Sequence, residues 1–177
     1  MTTVAIARYG AGNVRSVEFA FLRLGVAMTD DLAAADLAVL SGVGSARSAM
    51  DGLGAAADVL RERHARGRAV LGICLGAQIA LDESEEDGGT PCLGLVPGRV
   101  VRLRDERVPR IGWAPIEPGN ATYWFAHSYA CETDAVVARS EGHAAIIKSG
   151  SFVGVQFHPE KSGPAGARFL ESCLSPA

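Results

Sequence analysis

Short apolar runs at residues 4–7, 37–40 and 69–73 are separated by stretches of helical periodicity, and this alternation limits the possible folds more than any other feature. Each run has the length of a strand and stops at a turn. After the first, Gly10, Ala11, Gly12 and Asn13 form a turn, with Asn13 placed as an N-cap. Val14, Val17, Phe21 and Leu24 then recur at helical spacing, and Gly25 can close that helix. Residues 46–66 read as one Ala-rich helix carrying Leu53, Ala57, Leu60 and His64 on one face. A βαβα order implies parallel strands joined by crossover helices, so the expected class is α/β with helices on both faces of a mostly parallel sheet. Beyond residue 93 the pattern changes. Short strands punctuated by Pro97-Gly98, Pro109, Pro115 and Pro118-Gly119 run to residue 156, and residues 164–174 read as a closing helix. The expected architecture is a three-layer sandwich with an added antiparallel or mixed section. No repeat or linker divides the 177 residues, which suits one domain over residues 1–177, close to the ~150 residues of a typical domain.

Composition excludes several function classes. A net charge of −3 offers no basic surface for nucleic acid. No stretch approaches the ~18 apolar residues of a membrane span, and no charged-then-apolar leader opens the chain. The expected setting is the cytoplasm, away from any membrane. Four cysteines, Cys74, Cys92, Cys131 and Cys173, include no CxxC pair. Neither a zinc site nor a disulfide framework is indicated, and neither a metal nor a cofactor is expected.

The sharpest local feature is Gly72-Ile73-Cys74-Leu75-Gly76 at the end of an apolar run. It has the form of a nucleophile elbow with cysteine in place of serine. Flanking glycines permit a tight strand-to-helix turn that exposes the sulfur at the start of the next helix, where thiolate is favoured. The Leu75 N–H would then face an oxyanion formed on an attacked carbonyl. A buried cysteine between two turn glycines is the structural alternative. A nucleophile needs a base, and a base needs an orienting group. His158 ends the apolar run of Gly154-Val155-Gln156-Phe157-His158-Pro159-Glu160, and Glu160 follows across a proline that stiffens the turn. Together with the elbow this makes a coherent Cys74, His158, Glu160 triad, although a surface His–Glu pair has the same local pattern.

Other segments stay open on local grounds. Gly42-Val43-Gly44 can supply a second oxyanion N–H or form a plain turn. The acidic cluster at residues 82–87 fits a solvated face, and His127 in the Trp124 to Tyr129 run fits a structural histidine. Gly10-Ala11-Gly12 is not a dinucleotide fingerprint, because Arg15 occupies the third glycine position.

Along nearly the whole chain these motifs resemble the class I (triad-type) glutamine amidotransferase family, and within it the glutaminase subunits of imidazole glycerol phosphate synthase. The resemblance is carried by Tyr9 to Asn13 with Ser16, Gly42-Val43-Gly44, Gly72 to Gln78, and Ser84-Glu85-Glu86. It continues through Gly94 to Gly98, Ile111-Gly112-Trp113, His127-Ser128-Tyr129 and Gly154 to Ser162. It implies a flavodoxin-like amidotransferase fold and hydrolysis of L-glutamine through a thioester on Cys74. His158 would serve as acid and base, and Glu160 would orient it. Val43, Gly44 and Leu75 would form the oxyanion hole. Gly42, Gln78, Glu86, Ser128 and Tyr129 would hold the substrate. It further implies a heterodimer with a cyclase subunit of (β/α)₈-barrel type. That partner would use the ammonia to make imidazole glycerol phosphate and aminoimidazole carboxamide ribotide in histidine biosynthesis. Two positions depart from the family: Ser41 stands where proline precedes Gly-Val-Gly, and Ala114 stands where asparagine follows Gly-Trp. They leave a paralogous subunit feeding a different synthase as the alternative.

Overall fold

The structure, a computed structural model, describes residues 1–10 and 14–174. The first half runs β1 (Thr3–Ile6), α1 (Val14–Leu22), β2 (Ala27–Met28), β3 (Leu37–Gly42), α2 (Ala46–Leu53), α3 (Ala56–Ala65), β4 (Val70–Cys74) and α4 (Leu75–Gln78). The second half runs β5 (Glu83–Ser84), β6 (Thr90–Pro91), β7 (Arg99–Arg102), β8 (Arg110–Pro115), β9 (Thr122–His127), β10 (Tyr129–Glu132), β11 (Val136–Ser140), β12 (His143–Ser149), β13 (Phe152–Val155) and α5 (Gly163–Ser172).

The main sheet has seven strands in the order β11-β12-β13-β4-β3-β1-β2. The neighbours from β13 to β2 pair in parallel, whereas β12 is antiparallel to both β13 and β11. Every residue of β3 and β4 is buried, as expected of central parallel strands covered on both faces. Side chains alternate between two cores. Ala38 and Leu40 face α2 and α3 with Leu53 and Leu60, while Leu37 and Val39 face α1 and α5 with Phe21 and Leu170. This produces the three layers. The added section consists of a four-stranded sheet, β10-β7-β5-β6, and an antiparallel pair of β8 with β9. Among the described residues no helix is long and apolar enough to cross a membrane.

Residues 46–66 form two helices rather than one. Gly54, with φ 48° and ψ −128°, breaks the run. Gly52 lets α2 approach the first turn of the chain, since a Cβ there would lie 2.1 Å from the Tyr9 carbonyl oxygen. The helix α1 stops at Leu22, earlier than its apolar spacing indicates, and Gly25 (φ 76°) closes the following turn. The proposed cap at Asn13 lies outside the described residues.

Arg63, buried on α3, anchors the segment after β2. Its Nη1 donates to the carbonyls of Leu32, Ala33 and Ala35 at 3.0, 2.9 and 2.9 Å, and its Nη2 to that of Ala69 at 2.9 Å. Apolar periodicity gave no sign of this anchor.

Candidate active site

Strand register assembles the site. Gly42 pairs with Cys74 between β3 and β4, and Val155 pairs with Ile73 between β13 and β4. The carboxyl ends of the three strands therefore lie side by side, the usual location of ligand sites in open α/β sheets. Gly42, Cys74 and Gln156 meet at that edge.

Cys74 is buried and has φ 52°, a left-handed conformation that is strained for a non-glycine residue. The flanking glycines serve close packing rather than this dihedral. A Cβ on Gly76 would lie 2.0 Å from the Leu40 carbonyl oxygen, and one on Gly72 would lie 2.7 Å from the Gly76 carbonyl oxygen. The elbow is thus pressed onto β3, and the strain falls on the cysteine itself. The helix after the elbow, α4, has only four residues. What it can offer an anion at the elbow is the N–H groups of its first turn, Leu75 included, rather than a long macrodipole. The Ala126 carbonyl lies 3.8 Å from the sulfur, and the side-chain amide of Gln156 approaches it with Nε2 3.6 Å away.

His158 does not sit on the strand. The strand β13 ends at Val155, and Phe157 anchors the following turn by stacking on Tyr123 with ring centroids 3.9 Å apart. The His158 N–H donates to the Trp124 carbonyl at 2.8 Å, and Ser162 Oγ donates to the His158 carbonyl at 2.6 Å. The ring is buried, and its Nδ1 lies 2.9 Å from Glu160 Oε1. Burial alone would push this imidazole down. Hydrogen bonds with the Cys74 sulfur and the Glu160 carboxylate outweigh it and raise the pKa to about 9. The carboxylate thus holds the imidazole at Nδ1, and the Cys74 sulfur and that carboxylate both favour the charged ring.

The remaining predicted residues lie on neighbouring elements, beside Tyr9 and Ser41. Tyr9 donates from its hydroxyl to the Ser41 carbonyl at 2.5 Å, and a Cβ on Gly42 would meet that hydroxyl at 2.4 Å. Burial first, and the Cys74 sulfur second, push the Tyr9 phenol above its ordinary range. Ser41 Oγ is buried and finds no hydrogen-bond partner among the described residues, an arrangement that costs about 1–3 kcal/mol. Past Gly42 the backbone turns outward, with Val43 47% exposed and Gly44 at φ 127°. Glu86 Oε2 accepts the Ala46 N–H at 2.7 Å and so holds the start of α2 just beyond this turn. Gln78 is buried and its Nε2 donates to the Tyr129 carbonyl at 2.9 Å and to Gln156 Oε1 at 3.1 Å. Ser128, between β9 and β10, accepts the Leu103 N–H at 2.9 Å through its carbonyl.

His127 is held between Tyr129 and Arg110. The Tyr129 carbonyl, 2.8 Å from Nδ1, can only accept, so Nδ1 carries the proton. Arg110 Nη1, 3.3 Å from Nε2, can only donate. The ring is therefore neutral, and burial first, with Arg110 adding to it, lowers its pKa to about 4. Gln156 and Tyr9 lie in segments that carry the resemblance but were given no role at the site from the sequence. A signal existed for Gln156: it precedes His158 by two positions, which places both on the same face of an extended segment. Cys92, Cys131 and Cys173 have thiols that burial pushes up to about 11, 12 and 11.

The profile of the glutamine amidotransferase class-I family matches residues 13–176. The chain belongs to the class-I glutamine amidotransferase family. It is 40% identical to imidazole glycerol phosphate synthase subunit HisH of Chlorobaculum tepidum, with 96% of this chain and 98% of that one covered. It is 40% identical to the same subunit of Methanothermobacter thermautotrophicus, with 96% of each covered. Among solved structures, a crystal structure of glutamine amidotransferase aligns with a TM-score of 0.79 at 19% identity over 98% of this chain and 97% of that one. PurLQS from Thermotoga maritima aligns with a TM-score of 0.72 at 21% identity over 98% and 97%. These structural likenesses show a fold common to the amidotransferase family. Within it, Ala114 is buried in the core with Ile116, Tyr123 and Phe125, so the position can hold an apolar side chain in place of asparagine.

Proposed function

We propose that this chain is the glutaminase subunit of an imidazole glycerol phosphate synthase, active in the cytoplasm. The observation that carries the reading is the strained Cys74 elbow coupled to a buried His158 that is itself held by Glu160. The Cys74 thiolate attacks the side-chain carbonyl carbon of L-glutamine. The oxyanion is held by the N–H of Leu75 and that of Val43 or Gly44. His158 imidazolium gives its proton to the departing nitrogen, which leaves as ammonia and a glutamyl thioester. His158, now neutral, takes a proton from water, whose oxygen attacks the thioester. Glutamate departs and the thiolate returns. Glu160 fixes the ring through Nδ1, so that the other nitrogen faces the reaction. Gly42, Gln78, Glu86, Ser128 and Tyr129 hold the amino acid. Ammonia passes to a cyclase partner of (β/α)₈-barrel type in a heterodimer, which closes the imidazole ring. The reaction needs no metal or organic cofactor.

Cys74→Ala is expected to lower ammonia release from glutamine by at least ~1,000-fold while leaving the circular dichroism spectrum unchanged. Retained hydrolysis by that variant rejects the assignment. His158→Ala is expected to be comparably severe, and Glu160→Ala milder. A second reading, ammonia supplied to a different synthase, is favoured by Ser41, whose buried hydroxyl, without a partner among the described residues, sits next to the oxyanion segment where the family carries proline. Reconstitution with the histidine-pathway cyclase of the same genome separates the two: glutamine-dependent ring closure supports the first, and its absence the second.

A further inference from the structure

The side-chain amide of Gln156 has its polarity fixed by its surroundings. The Tyr129 carbonyl is an acceptor only, so the Gln78 atom 2.9 Å from it must be the NH₂ group. That same nitrogen lies 3.1 Å from Gln156, whose facing atom must therefore be the carbonyl oxygen. The Gln156 NH₂ is left directed at Cys74 Sγ, 3.6 Å away. The backbone is equally fixed: the Gln156 N–H donates to the Ala145 carbonyl at 3.0 Å, and the residue is 3% exposed. Beside the His158 imidazole, the sulfur thus has two fixed polar neighbours. A thiol can donate to the Ala126 carbonyl at 3.8 Å, and a thiolate can accept from Gln156.

We propose that Gln156 is a further catalytic residue, a fixed N–H donor that stabilises and aims the Cys74 thiolate before substrate arrives. The physical basis is that a hydrogen bond donated to the charged form of a group favours that form. Polarity runs from the Tyr129 carbonyl through Gln78 to Gln156 and on to the sulfur. Gln78, assigned to glutamine binding above, is therefore joined to the nucleophile by two hydrogen bonds. The inference rests on the reading of Cys74 as nucleophile. The titratable groups coupled to that sulfur among the described residues are His158, Tyr9 and Cys131, and all are retained in the variants below.

The test is the pH profile of Cys74 alkylation by iodoacetamide on the isolated full chain, followed by mass spectrometry of the Cys74 peptide. Gln156→Met keeps the volume and loses the donor. Gln156→Glu keeps the shape and places a carboxylate beside the sulfur. Both are expected to move the alkylation midpoint upward, Glu further than Met, by about one pH unit or more, which is about tenfold in thiolate population. Folding of each variant is checked by circular dichroism. Profiles superimposed on that of the native chain overturn the inference. A measurement on the native protein stands if neither variant folds. The ¹⁵N side-chain amide resonance of Gln156 is expected to titrate with the same midpoint as alkylation, and a resonance that stays fixed overturns the inference. A chain that lacks glutaminase activity but shows these shifts rejects the proposed function alone.

Discussion

Two buried histidines at this site are driven in opposite directions by their surroundings. Burial first, with the cationic Arg110 adding to it against the opposing hydrogen bond of the Tyr129 carbonyl, leaves His127 neutral with a pKa lowered to about 4. His158 meets a carboxylate and a sulfur, which raise it to about 9. Linkage gives each a sign. A lowered histidine contributes stability that is full above its ordinary 6.5 and is lost as pH falls through about 4. A raised one contributes stability that is full below 6.5 and is lost as pH rises through about 9. Glu160→Gln is expected to shift the His158 Cε1–H titration toward 6.5 by about one unit or more, read by NMR, and to leave His127 untitrated down to pH 5. An unmoved His158 would show that Glu160 does not support the imidazolium. In urea, the native chain is expected to lose stability between pH 7 and 4.5 by more than His127→Gln does. The elbow cysteine, the histidine and the glutamate were legible because glycine and proline spacing is a local signal. The charge states were not, since they depend on tertiary burial and on distant groups: Cys74 for His158, and for His127 the Arg110 side chain, which is 17 positions away and reaches it through the pairing of β8 with β9.

At the scale of elements, the parallel half was legible and the added half only as a change in texture. The strands β3 and β4 are apolar throughout and could be read as buried, whereas β5 and β6 have two residues each and no periodicity to detect. The break between α2 and α3 was hidden for a related reason. Gly52 and Gly54 interrupt an otherwise helical pattern, and only the packing of α2 on Tyr9 shows why glycine is needed at 52. Arg63 is the clearest case of tertiary contacts overriding pattern. Its guanidinium satisfies carbonyls of the segment at residues 32–36 and of the approach to β4, and among the described residues no carboxylate pairs with it. Burial lowers its pKa, yet arginine retains its charge. Arg63→Met is expected to destabilise the chain by about 2–4 kcal/mol, because buried carbonyls lose their donors. Urea denaturation measures this directly. The Cys74 alkylation profile of the variant should match that of the native chain, since Arg63 lies at the opposite, amino-terminal end of β4. A loss below ~0.5 kcal/mol would mean that water replaces the guanidinium.

At the scale of the whole molecule, the two cores share the central strands. Ala38, Leu40 and Val70 face one side, and Leu37, Val39, Leu71 and Ile73 face the other. Neither core can be exposed without stripping β3 and β4 of half their cover. The smaller sheet is joined to the first core through Val100 and Cys131, and the β8–β9 pair to the second through Tyr123 and Phe125. A chain built in this way is proposed to unfold as one domain across residues 1–177. Both tryptophans, Trp113 and Trp124, lie on the β8–β9 pair with ring centroids 5.9 Å apart, so fluorescence reports the added section while far-ultraviolet circular dichroism reports mostly the helices that cover the main sheet. In a urea titration the two probes are expected to trace one transition with a common midpoint and slope. An earlier fluorescence transition would make the β8–β9 pair a separately melting unit. It would also remove support from the catalytic turn, because the Trp124 carbonyl and N–H hold His158 and Ser162. Coincidence of the two curves would instead mean that the arrangement of Cys74, His158 and Gln156 persists until the sheet itself is lost, so that activity and fold fall together.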